Sequence, residues 1–326
     1  MIRLAVTLAV CVSFCAMAAD APAKRVLIVT GQDYPGHKWQ ETAPVLAEDI
    51  RADKRLEVVV TENPKDLASP LDKYDAIVLH FMNWEQPDPG PEARENLKKF
   101  VEGGKGLVLV HFACGAFQEW PEFRNLAGRS YDPALRGHDP YGMFQVEITG
   151  EKHPITEGLQ PFETIDELYT CLAGDRPIKI LATARSKVDG KDYPMAFVLD
   201  YGQGRVFHSV LGHDAQALKN PAVAQLFRWA TAWAAGLTVP PAWYTAQSPC
   251  FSSAAGQVTL NLSVSSPTTS TSPVPPSIIW HSIDRIQTPP KAPSSPTECT
   301  SSPLSRAFST RGAHVFSPHL NSITTR

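Results

Sequence analysis

Short apolar runs that alternate with helical patterns constrain the fold of this chain most. The segments Arg25–Thr30, Asp75–His80 and Gly106–Val110 are rich in Val, Ile and Leu, which is typical of strands buried on both faces of a parallel sheet. Between them, Trp39–Arg51 and Pro91–Val101 carry apolar residues at helical spacing. This alternation predicts an α/β fold with a mostly parallel sheet and helices on both of its faces.

Further strands and one further helix are predicted after these segments. The turn Asp200–Gly204 is of the hairpin type, so the later strands are expected to form an antiparallel extension of the sheet. We expect Pro121–Tyr141 to be irregular and Ala222–Ala235 to close the domain as a helix. The additional predicted strands are Leu56–Val60, Met143–Ile148, Ile178–Ala184, Met195–Leu199 and Arg205–Val210.

The two ends of the chain differ in character from the segment between them. Residues 1–19 combine Arg3, a short apolar run and an Ala-Met-Ala site, which is typical of a cleavable secretory signal. A periplasmic or secreted protein with no stable membrane association after cleavage is therefore expected. Residues 244–326 are rich in Ser, Thr and Pro and lack periodicity, which predicts a disordered tail. The folded domain is assigned to residues 24–243.

Composition narrows the class of ligand. The formal net charge is −3, and acidic and basic residues are mixed along the globular part. Because there is no basic patch, we do not expect nucleic acid as a partner, and a small uncharged molecule is the better prediction. The composition does not predict an oligomeric state.

Polar side chains follow the predicted strands at one edge of the sheet. Ligands of open parallel sheets bind beyond the carboxyl ends of the strands, so these residues define the expected site. The candidates in the loops after the strands are His37, Trp39, Asn83, Trp84, His111, Cys114, His213 and Asp214, and His138 lies in a loop that can fold over them.

Cys114 is a candidate nucleophile. It follows a buried strand in a small-Cys-Gly turn, as in a nucleophile elbow, and a helix N-terminus would lower the pKa of its thiol. The alternative is a small buried cysteine that fills space under the helix.

The histidines His37, His111, His138 and His213 form a second group of candidates. They can serve as general acids and bases, donate hydrogen bonds to sugar hydroxyls, or hold a metal together with Asp139 or Asp214. The chain has no H-x-x-x-H or H-E-x-x-H motif, so we predict no cofactor and leave a divalent metal as an alternative. Glu167 is either a buried carboxylate directed at the site or an ordinary surface acid.

Five stretches together resemble the ThuA-like (trehalose utilisation) family of the class I glutamine amidotransferase-like superfamily. They span roughly residues 25–240 and comprise Gly36–Trp39, Gly137–Asp139, His153–Leu159, Asp166–Tyr169 and Pro194–Asp214. The resemblance implies a flavodoxin-like sheet and a role in the metabolism of trehalose-like or keto-glycoside sugars.

The sequence departs from the amidotransferase pattern at two positions. The turn Phe112–Ala116 lacks the first Gly of G-x-C-x-G, and His213 is followed by Asp214-Ala215 rather than by the Glu of H-x-E. These departures argue against glutamine hydrolysis. We therefore expect a saccharide hydrolase or isomerase in which His37, His138, Glu167, His213 and Cys114 are catalytic and Trp39, Asn83, Trp84, His111 and Asp214 bind substrate. A non-catalytic glycan-binding module and a thiol hydrolase using Cys114 are the alternatives.

Overall fold

The computed structural model describes residues 22–84 and 86–240, which form one nine-stranded sheet with flanking helices. The signal predicted for residues 1–19 and the tail predicted for residues 244–326 lie outside the described residues. No helix within the described ranges is long and apolar enough to cross a membrane. The elements are, in chain order, β1 (Lys24–Val29), α1 (Trp39–Arg51), β2 (Leu56–Thr61), β3 (Ala76–Leu79), α2 (Pro91–Glu102), β4 (Gly106–Val110), α3 (Pro121–Ala127), β5 (Gly142–Ile148), β6 (Phe162–Asp166), β7 (Lys179–Arg185), β8 (Asp192–Tyr201), β9 (Gly204–Ser209), α4 (Ala215–Leu218) and α5 (Pro221–Ala234).

The sheet has a parallel half and an antiparallel half. Its strand order is β2-β1-β3-β4-β9-β8-β7-β5-β6. The first five strands pair in parallel, in the order that is typical of flavodoxin-like folds, and the last four continue the sheet by antiparallel pairing. The predicted α/β class, the parallel core and the antiparallel extension are all confirmed.

The central strands are buried on both faces, which explains their unbroken apolar composition. Alternate residues of β4 enter different cores: Val108 and Val110 pack on one side, and Leu107 and Leu109 on the other. Helices α1 and α5 pack together over the first side, and α2 and α3 cover the second. Because neither face of this part of the sheet is free, a ligand can approach the central strands only at an edge.

The segment predicted to be irregular, Pro121–Tyr141, begins with the short helix α3. Pro121 occupies its first turn, where a missing N–H costs nothing. Gly128 follows the helix with φ 75°, a conformation that glycine adopts without strain. Both signals were present in the sequence, and the remainder of the segment is irregular, as expected.

The sheet direction brings four strand ends to one edge. β9 runs parallel to β4 and therefore to β1. From β9 the sheet continues through four antiparallel pairs, to β8, β7, β5 and β6, so β7 and β6 run in the same direction as β9. The carboxyl end of β6 therefore faces the same edge as those of β1, β4 and β9. The loops that follow these four strands carry the candidate site.

Candidate metal centre

Four side chains from four different loops meet at the carboxyl edge of the sheet. His37 follows β1, His111 follows β4, Glu167 follows β6 and His213 follows β9. One ligand atom from each lies within 4.8 Å of the others, and three of the four side chains are buried. We call these four residues the His₃Glu cluster.

The carboxylate oxygen Oε2 of Glu167 is the centre of the cluster. It lies 3.2 Å from Nδ1 of His213, 3.6 Å from Nε2 of His111 and 3.8 Å from Nε2 of His37. The two Nε2 atoms of His37 and His111 are 3.3 Å apart. Four donor atoms thus converge on one small volume.

Hydrogen bonds at Nδ1 of His37 and His111 determine the tautomers of these rings, and therefore whether each Nε2 carries a proton. Nδ1 of His111 lies 2.7 Å from the carbonyl oxygen of Val210, which can only accept, so Nδ1 carries the proton. Nδ1 of His37 lies 3.0 Å from a carboxylate oxygen of Asp33 and donates in the same way. In the neutral rings both Nε2 atoms then present lone pairs to each other. A cation between them resolves this repulsion, and so does an added proton.

Burial and neighbouring charges shift the pKa values of the cluster residues in opposite directions. Burial acts to raise the pKa of Glu167, but His111, His213 and His37 around its carboxylate outweigh burial and hold that pKa well below its usual range. Burial acts to lower the pKa of His37, but the carboxylates of Asp33 and Glu167 beside the ring outweigh it and raise the pKa to about 9. Burial lowers the pKa of His111 to about 4. Without a metal, the cluster therefore contains an ionised Glu167, a protonated His37 and a neutral His111 at pH 7, and a bound cation would displace the proton of His37.

Two buried atoms of the cluster make no hydrogen bond within the described residues. They are Oε2 of Glu167 and Nδ1 of His213, which lie close together but are not aligned for donation. A buried polar atom without a partner costs roughly 1–3 kcal/mol, so two at one point indicate a missing partner. Both atoms belong to the four that could ligate a shared cation.

The donor set and its spacing fit a tetrahedral divalent metal. Bonds of 2.0–2.1 Å to nitrogen and oxygen place tetrahedral ligand atoms about 3.4 Å apart. Four of the six separations between the ligand atoms, 3.2, 3.3, 3.6 and 3.8 Å, bracket that value, and all six are within 4.8 Å. The hydrogen bonds of His37 to Asp33 and of His111 to Val210 are the outer contacts that metal-bound histidines usually make. Imidazole suits zinc, copper, iron and nickel, and a tetrahedral set of nitrogen and oxygen ligands is the arrangement that zinc adopts.

Asp166, the last residue of β6, positions half of the cluster. Its buried carboxylate accepts backbone N–H bonds from Gly212 at 2.7 Å, from His213 at 3.0 Å and from Glu167 at 2.8 Å. Gly212 has φ 110°, and an added Cβ would meet Leu218 at 2.9 Å, so this tight loop requires glycine. Asp166 thereby joins the end of β6, which leads into Glu167, to the loop that carries His213.

The strained turn after β4 lifts His111, not Cys114, above the sheet edge. His111 has φ 49°, a left-handed conformation that non-glycine residues rarely adopt, and it follows β4 directly. Cys114 lies three residues later and is fully buried in the core. Burial raises the pKa of its thiol, so the thiolate that a nucleophile needs does not form at neutral pH. The assignment of Cys114 as catalytic is corrected on these grounds.

We expect Cys114 to react slowly with iodoacetamide at neutral pH in the folded protein. Its sulfur is shielded and protonated, and both properties suppress alkylation. Mass spectrometry of the peptide that contains Cys114 measures the labelled fraction over time, with the protein unfolded in guanidinium as the control for full reactivity. Complete labelling of the folded protein within minutes would contradict this assignment.

The remaining predicted site residues lie outside the His₃Glu cluster. His138 is partly exposed, and its Nε2 lies 3.6 Å from Oε1 of Glu167, on the outer side of the cluster. The amide oxygen of Asn83 accepts from the backbone of Phe117, so this side chain holds a loop. Trp39 lines a separate cavity of about 300 Å³ beside α1 and β2, so its predicted place in the substrate site is not supported by the geometry. Trp84 is exposed on the rim of the site.

Neither aspartate that was considered as a metal ligand faces the cluster. Asp139 accepts from Arg136, from Ser186 and from the backbone of Lys187, which anchors the loop of His138 to the β7–β8 hairpin. Asp214 caps α4 by accepting from the backbone of Ala217, and it also accepts from the hydroxyl of Tyr141. The carboxylate of the cluster is instead Glu167.

The sequence prediction omitted four residues that shape the site. Asp33 and Asp166 support the ligands through hydrogen bonds, and Tyr34 and Tyr141 are exposed beside them. The proximity of Asp33 to His37 could have been predicted from the sequence, because the two residues are four positions apart in one loop. The backbone contacts of Asp166 could not have been predicted, because they are made with a loop 46 positions away in the sequence.

Comparisons with known proteins assign the chain to a family. A comparison with curated proteins finds no match to the sequence. A ThuA-like protein from Parabacteroides merdae has a structure with 25% sequence identity and a TM-score of 0.60, covering 67% of this chain and 92% of that one. A ThuA-like protein from Bacteroides uniformis is 20% identical with a TM-score of 0.55, covering 69% and 98%. The family model described as ThuA, trehalose utilisation, matches residues 25–234. The chain thus belongs to the ThuA family.

Proposed function

We propose that this protein is a divalent-metal-dependent enzyme that hydrolyses or isomerises a saccharide at the carboxyl edge of the sheet. The convergence of His37, His111, His213 and Glu167 on one point is the single observation that carries the proposal. Membership of a family described as trehalose utilisation supports a sugar as the substrate class. Glutamine hydrolysis is not proposed, because Cys114 is buried and protonated.

The His₃Glu cluster would hold the metal, most suitably zinc. When bound, such a metal would supply Lewis acidity toward a carbonyl or hydroxyl oxygen of the substrate, which would have to join the four protein ligands. The chain's own contribution is to fix the ligands before substrate arrives, since Asp33, Asp166 and the carbonyl of Val210 hold them in place. Burial of the cluster keeps bulk water away from the ligands and strengthens their interaction with charge.

His138 is the group best placed to move a proton. Its Nδ1 donates to the carbonyl oxygen of Asp139 at 2.7 Å, so in the neutral ring Nε2 is free to accept a proton. The side chain is 38% exposed, which lets a bound sugar reach Nε2 beside Glu167. Asp139 is itself anchored to Arg136 and Ser186, so the loop that carries His138 is held in place. Proton transfer to or from a sugar oxygen or carbon serves hydrolysis and isomerisation alike.

We propose that the enzyme works in the periplasm or outside the cell. Residues 1–19 carry the features of a cleavable signal, and the absence of a basic patch fits a small uncharged substrate. A sugar that is taken up from the environment would meet the enzyme there.

The variant His138→Ala tests the catalytic proposal. We expect it to bind one metal per chain like the wild type and to lose roughly 10²–10⁴-fold in kcat, because it removes the proton-transfer group but no ligand. Trehalose and its keto derivative are incubated with the zinc-loaded full chain, and products are quantified by chromatography and mass spectrometry.

Two outcomes would count against the proposal. Unchanged turnover in His138→Ala would reject the role of this side chain. If the metal-loaded wild type binds a saccharide in calorimetry but forms no product, the protein is a non-catalytic glycan-binding module and not an enzyme.

A further inference from the structure

The His₃Glu cluster supplies four ligand atoms, which is the full number for a tetrahedral metal. Structural zinc sites are closed by four protein ligands, whereas catalytic sites keep three and leave one position for water or substrate. A substrate oxygen can therefore join the cluster either as a fifth ligand or in exchange for one of the four. The four side chains are not held equally, and this difference favours exchange.

His37 and His111 are held by hydrogen bonds on the side away from the cluster. Nδ1 of His37 donates to the carboxylate of Asp33 at 3.0 Å. Nδ1 of His111 donates to the carbonyl oxygen of Val210 at 2.7 Å. The two rings also pack edge-on against each other, with their centroids 4.8 Å apart. Neither imidazole can turn away from the cluster without breaking its outer hydrogen bond.

His213 is held through its backbone and through its ring. Its backbone N–H donates to Asp166 at 3.0 Å. Its ring lies 4.9 Å from that of His37 and 5.2 Å from that of Tyr141, measured between centroids. The ligand atom of His213 is Nδ1, the ring nitrogen nearer to the backbone. This atom therefore moves little while the backbone is fixed.

The carboxylate of Glu167 has no comparable support. No backbone N–H and no hydroxyl of the described residues donates to it, and it faces only imidazoles. The carboxylate of the preceding residue, Asp166, accepts three backbone N–H bonds. A glutamate side chain also has one more torsion than a histidine side chain, and so more freedom to move. Glu167 is therefore the ligand of the cluster that is held least.

The two oxygens of Glu167 lie on different sides. Oε2 is buried among the three imidazoles of the cluster, at 3.2, 3.6 and 3.8 Å from their nearest nitrogens. Oε1 lies on the outer side, 3.6 Å from Nε2 of His138, whose side chain is partly exposed. A rotation of the side chain toward His138 takes Oε2 out of the cluster, while the backbone N–H of Glu167 stays bonded to Asp166.

We propose that Glu167 is the exchangeable ligand of the His₃Glu cluster. The three imidazoles hold the cation throughout, and the carboxylate leaves when an outside ligand binds, so that the number of ligands stays at four. One coordination bond to the outside ligand forms and the bond to Oε2 breaks, with no transfer of electrons. This inference rests on the metal centre of the proposed function and adds the position at which a substrate enters it.

Binding of azide to the cobalt(II)-loaded full chain tests the exchange. Cobalt(II) substitutes for zinc and has visible absorption bands that are more intense with four ligands than with five. We expect azide to shift the bands of the wild type without weakening them. We expect Glu167→Gln to keep one cobalt per chain and to bind azide at least about tenfold more tightly, because azide then displaces a neutral amide instead of a carboxylate.

Glu163→Gln is the matched control, because it changes an exposed carboxylate on β6 that lies outside the cluster. It should match the wild type in cobalt content and in azide affinity. Circular dichroism of each variant checks that the chain is folded.

Four results would overturn the exchange alone. Weaker bands of the wild type with azide would mean that a fifth ligand joins the cluster, and unchanged bands would mean that no position opens. Equal azide affinity in Glu167→Gln and the wild type would mean that the carboxylate is not displaced. Loss of cobalt from a folded Glu167→Gln would make Glu167 a permanent ligand. A wild type that binds neither cobalt nor zinc would overturn the metal centre and the proposed function as well.

Discussion

Replacing His213 by alanine is expected to abolish stoichiometric zinc binding while leaving the chain folded. The substitution removes one of four ligand atoms, and His213 is the least buried histidine of the cluster. Loss of an outer hydrogen-bond partner alone lowers metal affinity 10–100-fold, so loss of a direct ligand should exceed about 100-fold. Inductively coupled plasma mass spectrometry on protein dialysed against excess zinc and then buffer measures the metal per chain.

The matched control for this prediction is His153→Ala. His153 is a half-buried histidine that contacts Trp233, and it lies outside the cluster. We expect this variant to keep one zinc per chain and the increase in melting temperature that zinc gives the wild type, since a ligand that binds only the folded state stabilises it. Equal zinc content in His213→Ala and the wild type, or a wild type without bound zinc, would show that the cluster is not a metal centre.

The sheet and its main helices could be predicted because local patterns reflect burial directly. Val26 and Ile28 face one core and Leu27 and Val29 the other, so a strand covered on both sides must be apolar throughout. The predicted range of α1, Trp39–Arg51, agrees with the structure because its apolar residues repeat at helical spacing against the core. The general location of the site followed from strand direction alone.

The identity of the metal ligands could not be predicted with the same success. Asp139 and Asp214 each follow a histidine directly, which suggests paired ligands, but adjacent residues in a loop need not face the same way. Asp139 bonds with the β7–β8 hairpin and Asp214 caps α4, so both carboxylates are used by the fold. The strand Gly106–Val110 was predicted correctly, but Cys114 was taken as the elbow residue after it, whereas the residue with the left-handed backbone is His111, directly after β4.

The second large effect is expected from Asp166→Asn, which replaces one carboxylate oxygen by an NH₂ group at the buried end of β6. The carboxylate of Asp166 accepts three backbone N–H bonds, and it is fully buried. An amide has only one accepting oxygen, so its NH₂ group must face at least one N–H donor. Burial raises the pKa of Asp166 to about 7, so its carboxylate is mostly ionised at pH 8. Hydrogen bonds to charged groups contribute about 1.5–3 kcal/mol each, so at pH 8 we expect the free energy of unfolding to fall by about 2–3 kcal/mol.

The same substitution should weaken zinc binding by about 10–100-fold, because Glu167 and His213 lose the contact that holds their backbones together. Urea unfolding in the presence of a chelator measures the stability of the metal-free chain, and a zinc titration of the folded protein measures the effect on the cluster. Asp192→Asn is the control, since it removes an exposed ion pair with Arg185 and should cost less than about 1 kcal/mol without changing zinc affinity. If Asp166→Asn destabilises the chain but binds zinc like the wild type, then Asp166 supports the fold and does not position the ligands.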